Sequence, residues 1–213
     1  MDARTIDIRP HGRTLIRVKT HLLSVVTLVL ALSLARAARA DPEPDNPTMR
    51  GPFVELNLAP FVFHGYSGFA GYQYGHVQVG AGAYAFHLPA FIRDSGFRGA
   101  DGLDVRSKLG LAAFGRYFLK PQGTGVYGAL QLGWERFGFA RNHEESLAYE
   151  TYVYPYVGYV WKPWHRGFYL NPSFGLAFST TTSGTFAVDG QSYRFKGYVP
   201  LLFFQIGYVL ESR

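Results

Sequence analysis

Two short clusters in this sequence hold residue types that perform acyl chemistry. His143, Glu144, Glu145 and Ser146 are consecutive, and His64 stands three residues before Ser67. A histidine that takes the proton of a serine hydroxyl, oriented by a carboxylate, makes the nucleophile of hydrolases and acyltransferases. Neither cluster carries the signature of a lipase or deacylase, and a polar loop with one histidine is ordinarily a solvated loop. The seven histidines are scattered, with no i, i+4 pair on a helix, so no metal site is expected. Cysteine is absent, which excludes a disulfide scaffold, a thiolate site and a lipid-modified N-terminal Cys. The 25 glycines form no strand, Gly-loop and helix unit, so no phosphate loop and no cofactor is expected.

The remaining chemistry is a set of charges and amides: Glu55, Arg106, Lys108, Arg116, Glu135 and Glu150, with Asn57, Gln78, Gln131, Asn171 and Gln205. What these residues do depends on the elements that carry them. After Leu34 no run of 18 apolar residues occurs and no 3.6 periodicity stands out. Alternation with a period of two recurs instead, as in strands. In 168–179, Phe168, Leu170, Phe174, Leu176 and Phe178 alternate with Tyr169, Asn171, Ser173, Gly175, Ala177 and Ser179. Segments 53–62, 105–119, 126–136, 149–161 and 197–210 behave alike, and 68–74 and 76–87 do so more weakly. The expectation is eight strands.

One face is bulky and apolar in nearly every strand. The other mixes Gly, Ala, Ser, Asn, Gln and Tyr with a few charges, too small and too poor in Lys and Glu for a water-facing surface. Apolar residues facing lipid around a small polar interior fit that composition. In lipid the sheet must close, because an open edge leaves backbone groups unpaired. The fold class predicted is therefore all-β, an eight-stranded antiparallel up-and-down transmembrane barrel. A soluble periplasmic ligand-binding barrel would instead require Leu130, Leu132, Phe174, Leu176 and Phe178 inside.

Charge is unevenly distributed. The chain carries +6, yet residues 1–40 hold seven of the 21 basic residues and only two acids, leaving 14 against 13 in 41–213. All the aromatics and 24 of the 25 glycines also lie in 41–213. The basic excess thus sits outside the expected folded part, which argues against nucleic-acid binding. A basic start, the apolar run Leu22 to Leu34 and Ala38-Arg39-Ala40 read as a secretory signal peptide (1–40) cleaved after Ala40. The Pro-rich segment 41–50 reads as a flexible linker, and 51–213 as the barrel.

Connections should alternate between short and long. Gly75-His76, the Lys-Pro-Gln-Gly of 120–123 and 162–166 are the short, periplasmic ones. The long, outer ones are 88–104, 140–147 and 180–195, with Val188-Asp189-Gly190-Gln191 as a hairpin tip. The connection near His64 to Ser67 is short. Under this topology Phe53, Tyr72, Tyr74, Tyr117, Tyr159, Trp161, Trp164, Phe168 and Tyr208 fall at periplasmic strand ends, as an aromatic girdle. Trp134, Tyr149, Phe178 and Tyr198 form a thinner outer one.

On these strands, with phrases such as FVELNLAPFVF and GYQYGHVQVGAGAY and the end LLFFQIGYVL, residues 51–210 resemble the small eight-stranded outer-membrane barrels of Gram-negative bacteria, the opacity-type and outer-membrane-protein-A-type family. The resemblance implies insertion by the outer-membrane assembly machinery, which reads an alternating last strand; Phe204, Ile206, Tyr208 and Leu210 match, although the chain ends in Leu-Glu-Ser-Arg rather than Phe. It implies no active site.

An eight-stranded barrel is just wide enough for side chains to fill it. Isolated charges there are costly, so pairing is expected. Glu55, Asn57, Arg106, Lys108, Arg116, Gln131, Glu135 and Glu150 are expected to form a salt-bridged plug, with Glu55 or Glu135 pairing with Arg116 and with Tyr152, Tyr154 and Tyr156 as a column beside them. The expected protein is a monomeric, non-enzymatic outer-membrane barrel for envelope structure or surface interaction. Its expected partners are outer-membrane lipid and lipopolysaccharide; basic loop residues such as Arg93, Arg98 and Arg141 could contact the latter's sugars and phosphates, but ordinary loop solubility is the favoured reading of those charges. The alternatives are a lipid-modifying enzyme, requiring His143 and Ser146 or His64 and Ser67 to meet, and a narrow conduit for small or hydrophobic solutes, requiring a lumen or a lateral gap.

Overall fold

The computed structural model of the chain describes residues 49–100, 102–142, 144–163, 167–180 and 185–210. The expected signal peptide and nearly all of the expected linker lie outside the described residues, as do Asp101, His143 and Trp164.

The barrel strands are β1 (Arg50–Asn57), β2 (Tyr66–Tyr74), β3 (Val77–His87), β5 (Asp104–Phe118), β6 (Gly125–Arg141), β7 (Glu144–Val160), β8 (Phe168–Ser179) and β11 (Tyr198–Val209). They pair antiparallel in the closed order β1-β11-β8-β7-β6-β5-β3-β2. Two short helices, α1 (Leu58–Val62) and α2 (Ala90–Gly96), and three short strands, β4 (Phe97–Arg98), β9 (Thr185–Val188) and β10 (Gln191–Phe195), complete the described elements. β1 begins and β11 finishes at one end, called basal here; the opposite end is the upper one. The tight turn at Gly75 (φ 55°) is basal, and the longer connections are upper.

Alternation decides which way each side chain points. In β1, Phe53, Glu55 and Asn57 are buried and Val54 and Leu56 exposed; in β8, Tyr169, Asn171 and Ser173 are buried and Phe168 and Phe174 exposed. Leu130, Leu132, Phe174, Leu176 and Phe178 all face outward, Leu132 at 56% exposure, which removes the soluble-barrel alternative.

Glycine makes room for the rings inside. Eight inward aromatics each stand directly across the ladder from an inward glycine: Phe53/Gly71, Phe69/Gly82, Tyr84/Gly110, Phe114/Gly80, Tyr127/Gly158, Tyr152/Gly133, Tyr156/Gly175 and Tyr169/Gly207. The ring lies over the glycine so closely that a Cβ on Gly133 would come within 2.1 Å of Tyr152, and one on Gly207 within 2.1 Å of Tyr169. A ring can lie flat across a neighbouring strand only where that strand lacks a side chain. These pairs pack the barrel without widening it.

The wall is uneven in height. β6 and β7 have 17 residues each and β1 has eight, a difference of about 30 Å at 3.3–3.4 Å per residue. The β6–β7 ladder runs out to Arg141 opposite Glu144, with Asn142 at φ 45°, so most of 140–147, expected as a loop, continues the two strands. On the low side the expected strand 53–62 stops at Asn57. Pro60 cannot donate to a ladder, and the Asn57 side chain accepts from the Ala59 amide at 3.3 Å, capping α1.

The inward face of the tall wall would be bare above the low side. It is covered by an upper sheet, β4-β10-β9, whose β9 touches β6 and β7, while α2, just before β4, touches β11. Phe97, Phe137, Phe139 and Phe195 pack together there, with centroids 5.0–6.5 Å apart. Ala100, Leu103, Val105, Val188 and Tyr193 complete this second core. The expected hairpin tip is a tight turn with Asp189 and Gly190 both at positive φ (52° and 68°), which suits a two-residue hairpin.

Candidate functional site

Inward positions of seven strands converge on Arg116. Its side chain is fully buried, on β5, and all five of its N–H groups are used. Nη1 donates to Glu55 Oε2 at 2.7 Å and to Gln78 Oε1 at 2.8 Å. Nη2 donates to Glu55 Oε1 at 2.7 Å and to Gln205 Oε1 at 3.3 Å, and Nε donates to the Tyr156 hydroxyl at 3.1 Å. The guanidinium also lies 4.3 Å from the Phe114 ring centroid and 5.2 Å from that of Tyr127. The fork-to-fork contact with Glu55 is the strong geometry for an arginine–carboxylate pair.

Glu55 is completed from β8. The Tyr169 hydroxyl donates to its Oε2 at 2.8 Å and Asn171 Nδ2 at 3.4 Å. Asn171 Nδ2 also donates to Gln205 at 2.7 Å, and the Tyr127 hydroxyl donates to Asn171 Oδ1 at 2.7 Å. Eight side chains from β1, β3, β5, β6, β7, β8 and β11 thus form one hydrogen-bonded layer across the barrel. A buried ion pair offsets its desolvation only when geometry and added hydrogen bonds are this complete.

Above that layer a second chain of donors ends on a carboxylate. Gln131 Nε2 donates to the Tyr152 hydroxyl at 2.8 Å, the Tyr152 and Tyr84 hydroxyls are 3.0 Å apart, and Tyr84 donates to Glu135 at 2.8 Å. Tyr84 spends its one proton on Glu135, so Tyr152 is the donor between the two phenols. Glu150 is Glu135's partner across the ladder, half-buried on the same inward face. On β7, Tyr154 stands between Tyr156 of the first layer and Tyr152 of the second, and its ring stacks on that of Tyr156 at 4.8 Å.

Of the residues expected in the plug, Glu55, Asn57, Arg116, Gln131 and Glu135 are buried and Glu150 partly so. Asn57 caps α1 rather than joining the Arg116 layer. Arg106 and Lys108 are corrections. A β-bulge between Ser107 and Leu109 shifts the alternation of β5 by one residue. Below it Gly110, Ala112, Phe114 and Arg116 point inward; above it Val105 and Ser107 do, and Arg106 turns out to solvent, donating to Asp104 at 2.9 Å. Lys108 pairs with Glu145, beside Gly138 on the outer wall.

Of the residues expected in the basal girdle, Tyr72, Tyr117, Tyr159, Trp161, Phe168 and Tyr208 stand on the outward face near the basal end, with Phe168 and Tyr208 in ring contact at 4.7 Å. Phe53 does not. It is 1% exposed, inside the barrel, because it shares the face of Glu55 two residues on. Trp134 and Tyr149 stack at 5.8 Å on the outer wall.

The acyl-chemistry candidates do not assemble where they are described. Ser67 points inward, and its buried Oγ has no hydrogen-bond partner, while His64 is exposed. Among the described residues no group of three His, Asp or Glu stands close enough to hold a metal ion. Sequence reasoning missed two features: the upper aromatic core, and the latches that hold it. Arg141 donates to the Tyr193 hydroxyl at 2.9 Å, Asn142 donates to Asp189 at 2.9 Å, and the Asp189 amide donates to Glu144 at 2.9 Å. The four phenylalanines were visible as aromatic residues, but no period linked them.

No known protein-family model matches the chain, and no curated protein matches it. The chain is similar to a solved structure, the crystal structure of Neisserial surface protein A, with a TM-score of 0.45 and 11% identity over 76% of this chain and 96% of that one.

Proposed function

We propose that the chain is a non-enzymatic β-barrel protein of the Gram-negative outer membrane, with a sealed, salt-bridged interior, serving envelope structure or surface interaction. The observation that carries this reading is sidedness. Val54, Val79, Leu111, Leu132, Val157, Phe174 and Leu202 present bulky apolar surface outward around the wall, while an arginine and two glutamates are buried inside. In water such a continuous apolar belt would drive aggregation; against acyl chains it is the favoured surface. The closed ladder meets the demand that lipid makes on backbone polar groups.

The layer around Arg116 and the rings above it occupy the cross-section, which supports a plug rather than a conduit. The inward Ser67 supports a non-catalytic reading. Partners follow from the same placement: outer-membrane lipid and lipopolysaccharide around the wall and rim, and the outer-membrane assembly machinery, which would read the outward Phe204, Ile206 and Tyr208 of β11. Residues 1–40 would direct export and be removed after Ala40, and the barrel would act as a monomer.

Expression of the full chain in a Gram-negative host, followed by membrane fractionation and gel electrophoresis with and without boiling, tests the proposal. The expected product is in the outer-membrane fraction and migrates differently once boiled. A soluble product whose mobility ignores heating would overturn the reading.

A further inference from the structure

β4 and β10 pair antiparallel in the upper sheet, with Phe97 opposite Phe195 and Arg98 opposite Arg194. Phe97 and Phe195 are buried in the second core. Alternation therefore sends both neighbouring arginines to the opposite face, exposed and directly across from each other. Like charges in that relation destabilise a strand pair, where an opposite charge would stabilise it. No carboxylate among the described residues forms an ion pair with Arg98 or Arg194.

Lys196 adds a third cation. Its amide bonds to the Gly96 carbonyl at 2.7 Å and its Nζ to the Asp94 carbonyl, which holds it next to the arginines. The Asp94 carboxylate is engaged by Arg93 Nε at 2.9 Å. Arg98, Arg194 and Lys196 line one open groove of about 510 Å³, together with Ser95, Tyr198 and Pro200. Three cations around an open space, with no carboxylate ion-paired to them among the described residues, suit a dianionic group with several acceptor oxygens.

The lower lip of the groove identifies the kind of molecule. Tyr198 and Pro200 begin the outward stripe of β11, which continues through Leu202 and Phe204, beside Leu176 and Phe178 of β8. A phosphate held by the cations has an apolar wall directly below it. We infer that Arg98, Arg194 and Lys196 bind a phosphate monoester, carried as the headgroup of a glycolipid whose acyl chains lie along β8 and β11. The lipid source rests on the membrane reading above; recognition of the phosphate does not.

The test uses the full chain in phosphate-free non-ionic detergent with three probes: a phosphorylated glucosamine lipid, the same lipid with its phosphates removed, and inorganic phosphate. Native mass spectrometry reads lipid adducts, and thermal unfolding reads stabilisation. The wild-type chain is expected to retain the phosphorylated lipid roughly tenfold or more over its dephosphorylated form, and R98Q/R194Q to lose that preference. R106Q, an exposed arginine outside the groove, should match wild type. R194E should melt above wild type in phosphate-free buffer, because the cross-strand pair becomes attractive, yet gain nothing from any phosphate probe; this variant keeps the test valid if R98Q/R194Q folds poorly. Stabilisation by inorganic phosphate that R194E abolishes, without lipid preference, would uphold the phosphate site and assign it a soluble ligand. If neither phosphate probe separates wild type from R98Q/R194Q and R194E, the proposal fails. A chain that binds phosphate but does not fractionate with the outer membrane would refute the membrane reading and leave this site standing.

Discussion

Replacing Arg116 by methionine tests the interior directly. The substitution keeps much of the aliphatic volume and removes five hydrogen bonds and the only cation bonded to Glu55 among the described residues. Both side chains of the pair are fully buried. Glu55 would keep only Tyr169 and Asn171 as donors. Stranding one member of a buried pair costs about 3–5 kcal/mol, largely from the uncompensated charge. The double variant E55Q/R116M removes that charge and leaves an amide oxygen for Tyr169 and Asn171, so it should recover at least about 2 kcal/mol relative to R116M. Reversible urea unfolding from lipid vesicles, followed by tryptophan fluorescence and circular dichroism, measures both values. R106Q is the comparison, because the Arg106–Asp104 pair is exposed, and it should cost no more than about 1 kcal/mol. If R116M costs as little as R106Q, or if the double variant is no more stable than R116M, the layer is not the keystone described above.

Three further outcomes follow from the same geometry. Tyr84→Phe deletes the donor to Glu135 and the acceptor for Tyr152, so it should lower stability in the same urea assay by about 1–3 kcal/mol, whereas Tyr198→Phe on the exposed wall should be near neutral. Gly207→Val places a side chain where the Tyr169 ring lies; it should cost about 1–3 kcal/mol or more, and adding Tyr169→Ala should relieve part of that loss, a non-additivity that a double-mutant cycle reads. Planar-bilayer recordings of the wild-type chain should give no discrete conductance steps, since the Arg116 layer and the stacked tyrosines fill the bore; resolved openings would contradict a sealed interior.

The sequence revealed the barrel strands well where one residue in two is apolar and the chain keeps that phase. β8 is the plainest case, from Phe168 to Phe178. That Arg116 pairs with a glutamate was also legible, because a charge on the small-residue face of a narrow barrel must find a partner there; the choice of Glu55 over Glu135 came from the structure. Phe53 misled because a ring at a strand end suggests a membrane interface. Its parity with Glu55 was in the sequence, but the space for it is supplied by Gly71 on another strand. Arg106 and Lys108 misled because a bulge leaves no mark in the alternation of residue types: both readings of β5 look equally regular, and only the partner strand shows which residue is extra. The polar stretch 140–147 looked like a loop because its residue types carry no apolar alternation, although the ladder continues there to Arg141 opposite Glu144.

By itself, then, this sequence determined the number of barrel strands, the facing of those that keep one phase, and that Arg116 must pair with an inward glutamate. Those properties follow from local alternation and from the cost of an unpaired charge in a confined space. Tertiary structure alone decided where β5 changes phase, which glycine receives each ring, and that Phe97 and Phe195 fold down over the tall wall and leave Arg98 and Arg194 side by side. Each of these depends on a residue distant in the chain but adjacent across a ladder, and strand register is a property of two strands together.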